Sequence, residues 1–328
     1  MREHPPTRPA FHSPLGPLLM GFLDEKRACG YRYASEERLL RALDRFLLGE
    51  QLSGPELPRA VLERWMDPRA PVRPRTHRMR RTLARQLAQF LLRHGCRAYL
   101  PPLASAPRTR QDFTARIFSR AELCGLLTAA DRLPVSPGSL RRPLVMPELF
   151  RLLYGCGLRV GEALRLRVRD VDLQGGVLTI RQGKFRTDRL VPVDPAFAVR
   201  LQRYAAALGP RTDDEPFFPS PRGGPYGYKA IYRTFRQLLQ QAGIPHAGRG
   251  RGPRLHEIRH AFAIHRLERW YREGVDLNAK LVHLATYLGH RSLVGTQTYL
   301  QLTHTLFLDL AGRLERTVGH AIPRRERT

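Results

Sequence analysis

The chain runs to 328 residues, longer than a typical single domain, and its 42 % apolar content suits packed cores rather than a disordered protein. Lys and Arg number 56 against 29 Asp and Glu; the net charge of +27 exceeds what solubility requires and points to a polyanion, nucleic acid above all. The sequence offers no run of roughly 20 apolar residues, no secretory signal and no C-x-x-C pair, so a cytoplasmic, nucleoid-associated protein without membrane contact is expected.

Residues 1–12 carry Pro and His without periodicity and read as a flexible tail. Over 13–99 the apolar residues recur at helical spacing. Leu18, Leu19, Phe22 and Leu23 form one face that Gly30 terminates, and Ser35 is placed to cap a second helix bearing Leu39, Leu40, Leu43, Phe46 and Leu47. A short helix over 57–65 follows. The next, over 75–94, sets Met79, Leu83, Leu87, Phe90 and Leu91 opposite Arg78, Arg81 and Arg85, an arginine face suited to a DNA backbone or groove. Over 100–115, Pro, small and charged residues replace the periodicity, as in a linker.

In the second domain Ser119 is placed to cap a helix through residue 127, and a Pro-, Gly- and Arg-rich loop covers 132–143. Helices over 147–154 and 161–168 flank the break Gly155-Cys156-Gly157. The period then changes to that of strands over 176–181 and 190–193. They flank Gly183-Lys184-Phe185-Arg186-Thr187-Asp188, so a hairpin with Lys184 near its tip is expected. Helices over 195–208, 226–243, 256–273, 277–288 and 292–316 follow, then a basic tail over 317–328. The fold class is mainly α with a small antiparallel β-sheet, in two domains.

One stretch offers a false lead. His256-Glu257-Ile258-Arg259-His260 matches H-E-x-x-H, the zinc protease signature. The extended form fails, because Ala263 and Arg266 stand where it needs Gly and His. No glutamate between Glu273 and Glu315 can serve as a third ligand. No metal and no cofactor are expected.

Read as His-x-x-Arg, the same residues gain partners elsewhere. Gly157-Leu158-Arg159-Val160-Gly161-Glu162 and Gly183-Lys184 precede them, and Leu288-Gly289-His290 and Tyr299 follow, with nine residues from His290 to Tyr299. In this order and spacing the chain resembles the tyrosine recombinase (phage integrase) family over residues 110–310. The resemblance implies a helical core-binding domain at 13–99, a linker at 100–115 and a catalytic domain at 116–316. It implies a catalytic set of Arg159, Lys184, His256, Arg259, His290 and Tyr299, supported by Glu162 and His260. The implied reaction is site-specific strand cutting and rejoining through a 3′-phosphotyrosyl link, for integration or excision of a mobile element. The implied partner is double-stranded DNA, bound by a dimer per site and a homo-tetramer overall, alone or with co-encoded recombinases.

Each residue type has a physical reason. In-line attack on a phosphodiester builds negative charge on the non-bridging oxygens, which fixed guanidiniums stabilise. Histidines can bond the phosphate and help remove the phenol proton. The leaving 5′ oxygen needs a proton, which an amine can supply and an always-charged guanidinium supplies poorly. Lysine occurs only at 26, 184, 229 and 280, so Lys184 at a hairpin tip suggests a general acid, although Phe185 departs from the family's common Gly-Lys-Gly turn. Outside the site, Arg186 and Arg189 on the hairpin and Lys229, Arg233 and Arg236 on the helix after Tyr226 are candidate DNA contacts, with Arg78, Arg81 and Arg85. Two other readings stand beside this one: relaxation of DNA as by a type IB topoisomerase, and a non-catalytic DNA-binding regulator on the same fold.

Overall fold

A helix with one apolar stripe must bury it against another element, and the chain does so twice, in two units spanning Met1–Asp112 and Phe113–Thr328. The computed structural model describes residues 11–102, 116–290, 296 and 299, apart from 32, 51, 53, 68, 69, 71, 73, 136, 137, 182, 184–187, 247 and 249–251. The expected helix over 292–316, both tails and the linker fall wholly or largely outside the described residues. No helix among the described residues is long and apolar enough to cross a membrane.

The first unit contains α1 (Gly16–Ala28), α2 (Ala34–Leu48), α3 (Arg59–Trp65) and α4 (Pro74–Arg93). Leu19, Phe22, Leu23, Leu40, Leu43, Leu47, Leu83, Leu87 and Leu91 form its buried core, as their spacing predicts. Buried Asp44 ties the start of the unit to α2, accepting the backbone N–H groups of His12 (2.9 Å) and Ser13 (3.0 Å). The expected cap at Ser35 is corrected. α2 begins at Ala34 after a left-handed Tyr33 (φ 48°, ψ 27°), with no side-chain cap, and Ser35 lies inside the first turn. Glu36 and Glu37 there complement the helix N-terminus instead.

The second unit opens with α5 (Arg120–Asp131), capped as expected by Ser119 in a reciprocal box with Glu122. α6 (Arg142–Gly155) starts five residues before the expected 147, because Pro147 sits inside it at the loss of one helical hydrogen bond. α7 (Val160–Ala163) is much shorter than the expected 161–168. The backbone after it is diverted into pairing: Val168 and Arg169 donate to the carbonyls of Glu215 and Asp213, and Phe217 donates to Leu166.

The sheet is antiparallel in the order β1 (Val171–Asp172), β2 (Val177–Ile180), β3 (Arg189–Pro192). Leu178 pairs with Val191 and Ile180 with Arg189, and this register points Leu178, Ile180 and Val191 into the core. α8 (Pro195–Leu208), capped by Asp194, and α9 (Tyr228–Gln241) pack around the same core. α10 (His256–Arg272) and α11 (Leu277–Leu288) close a second cluster of Phe262, Ile264, Leu267, Leu281, Leu284 and Leu288, which Tyr299 joins. The architecture is therefore mainly α with a small antiparallel sheet.

Candidate active site

α10 begins at His256, so Arg259 and His260 follow one turn later on the same face. Arg259 is 1 % exposed and is held by two backbone carbonyls and one imidazole. Nη1 donates to the Gly157 carbonyl (2.7 Å), and Nη2 donates to that of Leu288 (2.6 Å) and lies 3.2 Å from His290 Nε2. The guanidinium thus ties together the break after α6, the end of α11 and α10 itself. Burial, then Arg159, lower its pKa to about 10, which still leaves it a cation at neutral pH. Among the described residues its Nε is buried without a partner, a donor that a native fold seldom leaves idle without use.

Gly157 makes this arrangement possible. Its backbone is left-handed (φ +58°), and a Cβ there would lie 2.4 Å from Phe262 Cδ1. Gly157→Ala is therefore expected to lose about 2–4 kcal/mol of stability, from backbone strain plus overpacking, measured as a lower denaturation midpoint. A midpoint equal to wild type would contradict this.

Arg159, at the start of α7, donates through Nη1 to Glu162 Oε1 (2.7 Å) and through Nη2 to the Gly289 carbonyl (3.2 Å). Glu162 also accepts two bonds from Arg189, at 3.1 and 2.8 Å. Burial by itself would raise the Glu162 pKa; the bonds and charges of Arg189 and Arg159 outweigh it and hold the carboxyl down at about 2. One carboxylate thereby orients two guanidiniums and stands 3.9 Å from Arg259.

The expectation that Arg189 contacts DNA is corrected. Its side chain is 10 % exposed and committed to Glu162, and its Nε donates to the Tyr287 carbonyl (2.8 Å). Period-two alternation contained the signal. Leu190 and Pro192 face solvent and Val191 faces the core, so Arg189 must face inward.

Three imidazoles complete the cluster. His290 lies between Arg259, at its Nε2, and the hydroxyl of Thr296, 2.8 Å from its Nδ1. A guanidinium only donates, so Nε2 accepts and the ring proton sits on Nδ1, donated to Thr296. Thr296 is fully buried and went unnoticed in the sequence, where nothing distinguishes it from other threonines. His260 stands edge-to-face with both His256 (centroids 4.7 Å) and Tyr299 (5.4 Å), and its Nδ1 is buried without a partner among the described residues. Burial first, then neighbouring positive charge, lower His256 to about 3 and His260 and His290 to about 4.

All three are therefore neutral near pH 7. Between the ordinary 6.5 and about 3 the unfolded chain binds more of these protons than the native chain, so stability falls as pH falls through that window. Glu162 adds to the loss below about 4.5, since its folded value is the lower one. The melting temperature is expected to drop between about pH 7.5 and about pH 5, and to drop less with DNA bound, whose phosphates raise the imidazole pKa values. Equal melting temperatures at both pH values would refute this.

Tyr299 is 3 % exposed. Its ring stacks at 6.0 Å on His290 and stands edge-to-face with His260. Burial raises the phenol pKa, while the charges of Arg259 and Arg159 offset part of the rise. Arg159, Glu162, His256, Arg259, His260, His290 and Tyr299 are thus brought together in one chain.

Lys184 and Arg186 lie outside the described residues. Lys229, Arg233 and Arg236 are exposed on α9, and Arg78 and Arg81 are exposed on α4. Arg85 is less available, since its Nη1 donates to the Pro101 carbonyl.

Residues 118–305 match the phage integrase family. A protein of Sinorhizobium fredii named as an integrase/recombinase, y4rE, is 34 % identical over 294 residues, covering 89 % of this chain and 93 % of that one. Tyrosine recombinase XerC of Methylobacterium sp. is 38 % identical over 156 residues, 46 % of this chain and 43 % of that one. Among solved structures, the Tn1549 transposon integrase in complex with transposon right end DNA has a similar fold. The TM-score is 0.61 at 16 % identity, over 92 % of this chain and 99 % of that one. With the matched segment spanning the whole cluster from α7 to Tyr299, the chain belongs to the phage integrase family of tyrosine recombinases, enzymes that transfer DNA strands.

Proposed function

We propose that this chain is a site-specific recombinase that cuts and rejoins double-stranded DNA through a 3′-phosphotyrosyl intermediate, in the integration or excision of a mobile element. The observation that carries the proposal is a buried Tyr299 whose ring packs on the imidazoles of His260 and His290, with its phenol in the field of Arg259 and Arg159. The Tyr299 oxygen attacks phosphorus, and the bond from phosphorus to the 5′ oxygen breaks. Arg159 and Arg259 hold the non-bridging oxygens, with the unpartnered Arg259 Nε as one free donor. His256 accepts the phenol proton. Lys184 gives a proton to the leaving 5′ oxygen, a role that rests on the family resemblance. The phosphodiester energy stays in the covalent link, so no nucleotide triphosphate is needed.

The helical first unit grips DNA, and the protein acts in the cytoplasm as a dimer on each site and a tetramer across two, alone or with co-encoded recombinases. The y4rE likeness over nearly the full length of both chains supports recombination over simple relaxation. The test uses duplexes enriched by the full chain from a random-sequence pool and nicked at successive positions, with EDTA present. A denaturation-resistant protein–DNA adduct at one nick position is expected, and strand exchange between two copies of the duplex separates a recombinase from a topoisomerase. No adduct at any position would overturn the proposal.

A further inference from the structure

Among the described residues Tyr33 is the one non-glycine with positive φ, a backbone state that is energetically costly for an L-residue and persists only when its surroundings enforce it. Its ring stands edge-to-face with Phe22 (centroids 6.0 Å) and tilts against exposed Tyr31 (5.9 Å). Its hydroxyl donates to Gln86 Oε1 at 2.6 Å. Burial, then Glu36, push the phenol up to about 12, so it remains a donor.

This bond lies in the wall of a cleft of about 670 Å³. α4 lends the cleft Arg78, Thr82 and Gln86, and the α1–α2 side lends Lys26, Tyr31 and Glu36. Spacing of four places Arg78, Thr82 and Gln86 along one edge of α4, with Arg78 and Thr82 exposed. The chemistry of this edge differs from that of a phosphate grip. A phosphate asks only for charge, whereas a hydroxyl and an oriented amide supply what base edges read.

Resting on the reading above that this chain binds duplex DNA, we propose that the Arg78–Thr82–Gln86 edge of α4 enters the major groove, and that Tyr33 makes Gln86 specificity-determining by fixing its amide. With Oε1 engaged by Tyr33, Gln86 offers its amide N–H groups. A donor selects an edge rich in acceptors, guanine O6 and N7 or thymine O4, and rejects the cytosine amine. A glutamine free to turn reads adenine instead, accepting from N6 and donating to N7. Wild type therefore prefers guanine or thymine at the base Gln86 meets, and the preference moves toward adenine when the amide is released.

The test selects duplexes from a random-sequence pool with full-length wild type, Tyr33→Phe, Gln86→Ala and Arg78→Ala, then measures binding to the wild-type-enriched duplex and to random duplex across salt. Gln86→Ala is expected to lose the preference at one base pair per half-site, cutting the ratio of enriched to random affinity by about 5- to 30-fold. Tyr33→Phe is expected to shift that base pair toward adenine with little change on random duplex. Arg78→Ala is expected to weaken all duplexes alike and to reduce the salt slope by about 1. Gln86→Ala or Tyr33→Phe enriching the same sequence as wild type would overturn the inference. The wild-type adduct on that same duplex is scored separately, so failure of the base-reading edge and failure of the recombinase reading give different results.

Discussion

Tyr299→Phe is expected to abolish the covalent protein–DNA adduct, with a loss of at least about 10⁴-fold in single-turnover cleavage, while binding the same duplex within about threefold of wild type. The substitution removes one oxygen, the atom that would bond to phosphorus, and keeps the ring that packs on His260 and His290 and belongs to the α10–α11 core. The fold should scarcely notice. Arg259 keeps its bonds to the carbonyls of Gly157 and Leu288, so stability should change by no more than about 1–2 kcal/mol. Melting temperature, filter binding and a denaturing gel report the three quantities independently. An adduct that persists in Tyr299→Phe would place the nucleophile elsewhere.

Arg259 carries the second large effect, and it is of another kind because this side chain is both electrostatic and structural. Arg259→Lys keeps a positive charge but cannot reach Gly157 and Leu288 with a planar fork while offering a further donor. Cleavage is expected to fall at least about 100-fold, the usual loss when a donor to a developing oxyanion is removed or misplaced. Arg259→Ala should also destabilise the second unit by about 2–4 kcal/mol, since two carbonyls at the α6–α7 break and the end of α11 lose their donor. Tyr299→Phe and Arg259→Ala are therefore expected to separate in thermal denaturation although both should lose cleavage. Cleavage by Arg259→Lys within tenfold of wild type would reduce the guanidinium to a generic charge.

The same dual role explains why the site is neutral in its imidazoles yet cationic overall. His256, His260 and His290 are clustered with two guanidiniums, and desolvation together with the Arg259 charge lowers the affinity of each for protons. A neutral imidazole can accept a proton from the Tyr299 phenol; a charged one cannot. A DNA phosphate would supply negative charge to this cationic cluster. In the proposed reaction its arrival would offset the field of Arg159 and Arg259 and make protonation of His256 easier as the phenol loses its proton.

Much of this protein was legible in the linear pattern. Spacings of three and four predicted α8 and α11 at their observed bounds and α10 within one residue, because those helices bury a single stripe and begin or end at Asp194, Asp276 and Gly289. The polar residues of the site stood out because guanidinium, imidazole and phenol recurred in a known order over 159–299, and charge balance named the partner class. What the pattern misjudged depended on neighbours distant in sequence. α7 stops at Ala163 because the backbone after it pairs with 213–217, a partner no local window contains. Arg189 looked like a DNA contact on a hairpin and proved to be an interior clamp on Glu162, because strand register, not charge, decides which side of a sheet a residue faces. Local propensity and residue chemistry belong to the sequence. Burial, and with it the protonation of three histidines and the orientation of Arg259 by the Gly157 and Leu288 carbonyls, exists only once α6, α10 and α11 have packed, since desolvation and hydrogen-bond geometry are properties of the assembled interior.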